Sequence, residues 1–119
     1  MNISQWERKI KKACKEIGVY NKSFDLVIST LADIMEKRDS ALESYDGNPI
    51  VQHTNSHGET NSAKNPALML WLDCDKVALA YWRELGLTPS AYKKMTGAKQ
   101  GEDKGSALVE ALKALERDG

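Results

Sequence analysis

The chain has 119 residues, in which 17 lysine and arginine residues balance 17 aspartate and glutamate residues, so the formal net charge at pH 7 is zero. This length predicts one small domain of modest stability, and the zero charge excludes a protein that is basic over its whole surface. The charge is unevenly spread. Residues 1–22 hold six basic against two acidic residues, residues 23–46 hold two against six, and residues 87–105 hold four against two. A local basic segment can bind a polyanion even in a neutral chain.

The first predicted helix begins at Ser4, which can act as its N-cap with Glu7 completing a capping box. Apolar residues recur from Trp6 to Ile17 at helical spacing, and Gly18 is a natural stop. Basic residues cluster on the opposite side, and such side chains contact DNA phosphates. The candidate DNA-binding residues are Arg8, Lys9, Lys11, Lys12 and Lys15. An ordinary solvated helix face is the alternative interpretation.

A second, longer helix is predicted from Ser23 to the Asp46-Gly47-Asn48-Pro49 segment, with one apolar face and one mostly acidic face. Arg38 falls inside the apolar stripe. We favour a side chain whose stem is buried and whose head reaches solvent, and a buried ion pair is the alternative. The next segment, residues 47–65, is long for a connection in a compact domain. It is either a long loop or a short hairpin, with Ile50–Thr54 as a strand and Ser56-His57-Gly58 as a turn.

The third predicted helix opens on Asn65-Pro66, because Asn caps helices and Pro suits their first position. Its broad apolar face runs to Leu85 and includes Leu70, Cys74 and Val77. A helix that is apolar on more than one side is expected to be buried on more than one side. A second apolar stripe therefore predicts contact with another subunit, and it consists of Leu68, Leu72 and Leu79.

A sharp joint is predicted after this helix. Gly86 supplies the left-handed residue that ends it, Leu87 packs back on it, Thr88 caps the next helix and Pro89 takes the first position. The short helix that follows carries a second, weaker pair of candidate DNA-binding residues, Lys93 and Lys94.

The C-terminal part of the chain is predicted to be a linker and a tail helix. Residues 96–105 hold no apolar residue larger than alanine, and Ser106 can cap a last helix. A helix of about a dozen residues is marginal alone, so we expect it to dock on a partner. The docking candidates are Leu108, Leu112 and Leu115. We thus divide the chain into a helical core domain at 1–95, a flexible linker at 96–105 and an amphipathic helix at 106–119.

The sequence contains no convincing constellation for chemistry. The stretch GAKQGEDKGS lacks the spacing of a phosphate-binding loop. His53 and His57 are better explained as solvated loop residues than as metal ligands, and Cys14 and Cys74 as buried thiols, which suits a reducing cytoplasm. We therefore predict no catalytic residue, no metal and no cofactor. We also see no signal peptide and no run long enough to cross a membrane, so a soluble intracellular protein is expected.

Several short motifs between residues 20 and 95 together resemble one protein family. The Leu85–Ser90 joint follows the Asn65-Pro66 helix start by about twenty residues. The other matching residues are Leu31-Ala32, Arg38-Asp39, Thr54-Asn55, Gly58 and Lys64. On these residues the chain resembles the small subunits of siphophage-type phage terminases. It departs from them where Tyr92, Lys93 and Lys94 stand in place of the arginine that often follows the Pro-Ser pair.

This resemblance implies a role in viral genome packaging in the cytoplasm of a bacterial host cell. Such subunits assemble into homo-oligomeric rings, bind viral double-stranded DNA and recruit the terminase large subunit, which carries the ATPase and the nuclease. The expected fold is all-α, a small helical domain with a long loop or short β-hairpin between the second and third helices and a tethered C-terminal helix. The alternative hypothesis is a helical assembly module of a phage or prophage that does not bind DNA.

Overall fold

The computed structural model of the chain describes residues 1–96 and 103–117. In chain order its elements are α1 (Ile3–Glu16), a 3₁₀ turn (Lys22–Phe24), α2 (Asp25–Ser44), β1 (Ile50–Thr54), β2 (Thr60–Lys64), α3 (Pro66–Glu84), α4 (Pro89–Thr96) and α5 (Asp103–Arg117). The predicted helical architecture is confirmed, with a small β-hairpin added to it.

Helix α1 begins earlier than predicted. Asn2 is its N-cap, and the Asn2 side chain accepts a hydrogen bond from the Gln5 backbone N–H at 2.8 Å. The Gln5 side chain in turn accepts from the Asn2 N–H at 2.9 Å. The prediction of a capping box at Ser4 and Glu7 was therefore wrong, because the pair two residues upstream offers the same reciprocal bonds and lengthens the helix.

Helix α2 lies between α1 and α3, and Arg38 links it to α3. The Arg38 Nε donates to the Asp75 carboxylate of α3, and its Nη1 lies 3.6 Å from the Asp39 Oδ1. The Arg38 side chain is 27% exposed and its partner Asp75 is 44% exposed. The favoured interpretation, a partly buried stem whose head reaches solvent, therefore describes Arg38 better than a buried ion pair does. Asp39 also accepts a hydrogen bond from the Trp6 indole N–H at 2.8 Å, which ties α1 to α2.

The segment between α2 and α3 is the predicted short hairpin. Strands β1 and β2 are antiparallel, with Val51 opposite Ala63 and His53 opposite Asn61. Asn65 fixes its base: this buried side chain donates to the Asn48 carbonyl at 2.9 Å and accepts from the Ala67 N–H at 2.9 Å. The hairpin is therefore anchored at its base to the first turn of α3, whose predicted start at Asn65-Pro66 is confirmed.

The joint between α3 and α4 has the predicted backbone geometry. Gly86 has φ +74°, its N–H donates to the Arg83 carbonyl at 3.0 Å, and the Leu87 N–H donates to the Trp82 carbonyl at 2.9 Å. These two bonds form a Schellman motif. The predicted side-chain cap is absent, however. The Thr88 carbonyl accepts from the Tyr92 N–H at 2.8 Å, but the buried Thr88 hydroxyl makes no hydrogen bond to any described residue.

The hydrophobic core forms where α2 packs along α3 and against α1, while α5 lies on α1. Its larger members are Trp6, Ile10, Cys14, Ile28, Leu31, Met35, Leu85, Leu87, Tyr92, Leu108 and Leu115. Helix α5 begins at Asp103, so Ser106 lies inside it rather than at its cap. The predicted linker falls largely on residues 97–102, which lie outside the described residues, and the three-part division of the chain stays a prediction. None of the described helices is long and apolar enough to span a membrane.

Candidate nucleic-acid interface

The exposed face of α1 carries a short row of positive charge. Arg8, Lys12 and Lys15 are all exposed, and their spacing of four and three residues places them on one side of the helix over about 10 Å. We call these three residues the α1 basic ridge. The apolar stripe of α1 is buried on the opposite side, so packing in the core leaves the ridge facing solvent.

The two other predicted residues of α1 differ from the ridge. Lys9 is half-buried. The Lys11 Nζ lies 5.2 Å from the centre of the Tyr20 ring and 4.0 Å from the Asp25 Oδ1. Tyr20, and then Asp25, raise the pKa of Lys11, which keeps it charged. Because Lys11 already has an acidic neighbour in the chain, it is a weaker candidate for a phosphate contact than the ridge.

Contacts within the chain also reach the ridge, but they are weak. The Lys12 Nζ lies 3.9 Å from the Glu16 Oε1, and both groups are well exposed. An exposed ion pair one helical turn apart contributes little to stability. The Lys15 Nζ lies 5.2 Å from the centre of the Tyr20 ring. A phosphate group can therefore replace these contacts at small cost.

The second predicted pair, Lys93 and Lys94, lies on α4 rather than on α1. Both side chains are exposed in the last turn of α4. Helix α4 contacts α3 and α5, and Lys94 lines a surface pocket together with Phe24 and Arg83.

The predicted oligomer stripe of α3 is largely solvent-exposed. Leu72 is 50% exposed and Leu79 is 43% exposed, whereas Leu68 is half-buried. Leu70 and Val77, which were predicted to belong to the buried face, are also about half exposed. That prediction was wrong because α2 is the main partner along the length of α3, and one partner covers only a narrow stripe. Helix α3 thus presents apolar side chains on both flanks of its buried face.

The apolar stripe of α5 is occupied within the chain. Leu108 and Leu115 are buried in the core, and Leu112 packs against it half-buried. The helix that carries them lies on α1. Docking of this stripe on another protein stays a prediction, and it would require α5 to leave its own core.

The residues considered for chemistry lie apart from one another. Cys14 and Cys74 are buried free thiols, as predicted. Burial raises the pKa of Cys14 to about 11, so its nucleophilic thiolate is scarce at neutral pH. His53 lies on β1 and His57 in the turn, both exposed. Across residues 1–96 and 103–117, no group of three or more His, Cys, Asp and Glu side chains is placed to hold a metal ion. That the chain is not an enzyme stays a prediction.

Sequence reasoning missed two features of these surfaces. The Arg38–Asp75 pair joins residues that are 37 positions apart, and no local pattern signals such a pair. It borders a groove of about 550 Å³ that is also lined by Trp6, Trp82 and Leu112. The second missed feature is the polar surface of the hairpin, whose alternating side chains become visible only once the strand register is known.

Comparison with known proteins gives the family of the chain. The family model described as phage terminase, small subunit, matches residues 4–102, which include α1, the hairpin, α3 and the joint. No curated protein and no solved structure gives a significant match. The matched segment spans most of the chain and contains the motifs on which the resemblance was based. The chain therefore belongs to the phage terminase small-subunit family.

Proposed function

We propose that the chain is a DNA-binding adaptor of a viral packaging machine, without catalytic activity of its own. Membership of the family supports a role in phage genome packaging. The observation that carries the DNA-binding part is the α1 basic ridge, three exposed cations on one helix face. Such a row suits contact with successive phosphates of a duplex, and it carries no sequence information by itself.

Neutralising the ridge is expected to weaken DNA binding. Replacing Arg8, Lys12 and Lys15 with glutamine should lower affinity for a duplex roughly tenfold or more at low salt and flatten the dependence of log K on log salt by up to about 3, because each lost phosphate contact removes a slope of about 0.9. The measurement is fluorescence anisotropy with labelled duplex DNA over a series of salt concentrations.

A matched control replaces three exposed lysines outside the α1 basic ridge with glutamine, namely Lys37, Lys76 and Lys113. It changes the net charge by the same amount and should leave affinity and salt dependence near those of the wild type. Equal effects of both triple variants would mean that only net charge matters and would contradict the assignment of the ridge. Absence of wild-type binding would instead favour the alternative assembly module, which the zero net charge and the acidic α2 support.

We further propose that copies of the chain assemble through α3. This assembly is supported by the apolar surface on both flanks of α3, because large apolar side chains are seldom left in exposed patches unless a partner covers them. A contact between one flank and the opposite flank of the next copy is heterologous, and heterologous contacts close into rings when the rotation permits. Binding of the large subunit is part of the same proposal. Its candidate docking residues are Leu108, Leu112 and Leu115, which would become available only when α5 leaves its own core.

Polar substitutions in the α3 stripe are expected to break the assembly. Replacing Leu72 and Leu79 with serine should reduce the native mass to that of a single chain, because an interface loses affinity when its apolar anchors are removed. Native mass spectrometry measures this, and Lys76→Ser on the same helix is the control that should leave the mass unchanged. A wild-type protein that is itself monomeric would refute the proposed assembly.

A further inference from the structure

The β-hairpin is an exposed arm that the fold does not need for its core. Apart from Val51 and Ala63, which are half-buried, the side chains of β1 and β2 are exposed. A single two-stranded hairpin is marginal in water, so its ordered form depends on its anchors. Asn65 anchors the base, and at the tip the Asn55 side chain accepts from the His57 and Glu59 N–H groups at 2.9 and 3.0 Å. An arm held in this way is suited to contacting a partner.

The two faces of the hairpin differ in how their polar groups are used. On one face the Gln52 amide donates to the Ser62 hydroxyl at 3.0 Å, and the Thr54 and Thr60 hydroxyls lie 3.4 Å apart. On the other face His53 stands opposite Asn61. Neither of these side chains makes a hydrogen bond to another described residue, and both are exposed. Their donors and acceptors are therefore available to a ligand. We call the surface formed by Val51, His53, Asn61 and Ala63 the reading face.

We infer that the reading face recognises base edges in the major groove of duplex DNA. A two-stranded ribbon fits this groove, an asparagine amide can bond both N6 and N7 of adenine, and small apolar groups contact the thymine methyl. On the reading face Asn61 supplies the amide, the exposed parts of the half-buried Val51 and Ala63 supply the small apolar groups, and no carboxylate is present to repel phosphates. The nearest carboxylate on the hairpin, Glu59, lies between the turn and β2, with its Oε2 3.4 Å from the Asn55 amide nitrogen.

A second copy of the chain fits this surface less well. Packing another copy face to face on the reading face would bury mainly polar side chains, because Val51 is the only large apolar residue on it. The inference rests on the proposed DNA-binding function and deepens it, since the α1 basic ridge holds phosphates while the reading face supplies sequence preference.

The test is selection from a library of duplexes with a randomised central segment, using the full chain. Wild type should enrich a consensus sequence. The variant with His53→Ala and Asn61→Ala should lose roughly tenfold or more in preference for that consensus while keeping its affinity for unselected DNA and its salt slope. The matched control, with Gln52→Ala and Ser62→Ala on the opposite face, should enrich the wild-type consensus.

A nearly isosteric variant keeps the test independent of hairpin stability. Asn61→Asp replaces an adenine-reading amide with a carboxylate that accepts from cytosine N4, so the preferred base should change at one position. The inference is overturned if the reading-face variants still enrich the wild-type consensus, or if both double variants lose that consensus equally. It is also overturned if the wild type enriches no consensus, or if the variants change only the native mass of the protein. If the wild-type protein does not bind DNA at all, the proposed function is overturned as well. If the wild-type protein binds DNA without sequence preference, only the inference is overturned.

Discussion

Replacing Gly86 with alanine is expected to lower the free energy of unfolding by about 2–3 kcal/mol. Gly86 lies at φ +74°, and a residue with a side chain costs about 1–2 kcal/mol in the left-handed region. A Cβ atom at this position would also lie 2.5 Å from the Met95 sulfur, so the Met95 side chain would have to move out of its contact with the joint. Urea denaturation at one fixed protein concentration measures the effect.

Gly18 provides a control for the backbone part of this cost. It ends α1 at φ +78°, and a Cβ atom there would meet nothing within 4 Å. The N–H groups of Gly18 and Val19 make the same Schellman bonds to the Lys15 and Cys14 carbonyls. Gly18→Ala should therefore show the backbone cost alone, and removing the Met95 side chain in the Gly86→Ala background should recover the difference. Equal losses at the two glycines would disprove the role of Met95.

Shortening Leu31 to alanine is expected to cost about 2–5 kcal/mol, because the substitution leaves a cavity in the core. Leu31 is 0% exposed on α2 and belongs to the core that α2 forms with α1 and α3. Small domains have a total stability of only about 5–15 kcal/mol, so this one change can remove a large share. Thermal and urea unfolding followed by circular dichroism measure it.

The matched control for this substitution lies five residues away on the same helix. Leu26 is 77% exposed, and its replacement by alanine should change stability by less than about 0.5 kcal/mol. A comparable loss at the two positions would show that α2 is buried differently from the structure described above.

Local signals in the sequence predicted the backbone of this fold well. The Asn65-Pro66 start of α3 and the Gly86 stop are short-range effects of capping and of positive φ, and the structure confirms both. Side-chain caps were less predictable, because several residues near a helix start can compete for the same N–H groups. Asn2 replaced Ser4 at the start of α1, and the Thr88 hydroxyl does not cap α4.

The sequence could not show which apolar face of each helix is covered by other helices of the same chain. Periodicity identifies an apolar face but not the element that covers it. Val77 was therefore expected to be buried, whereas Leu115 was expected to meet another protein and instead lies in the core. For the candidate interface, the pattern grouped five basic residues of α1 as one face. Only the folded chain separates Lys11, which neighbours Asp25, from the exposed ridge.

The clamp that Asn65 forms at the base of the hairpin affects how tightly the arm can hold a ligand. This side chain satisfies its amide and carbonyl groups with Asn48 and Ala67, and its backbone N–H donates to the Pro49 carbonyl at 2.8 Å. The strands therefore lose their conformational freedom when the chain folds rather than when a ligand arrives. A pre-ordered hairpin loses less conformational entropy on binding a ligand than a flexible loop of equal length does. A few polar contacts along the hairpin can therefore yield useful affinity.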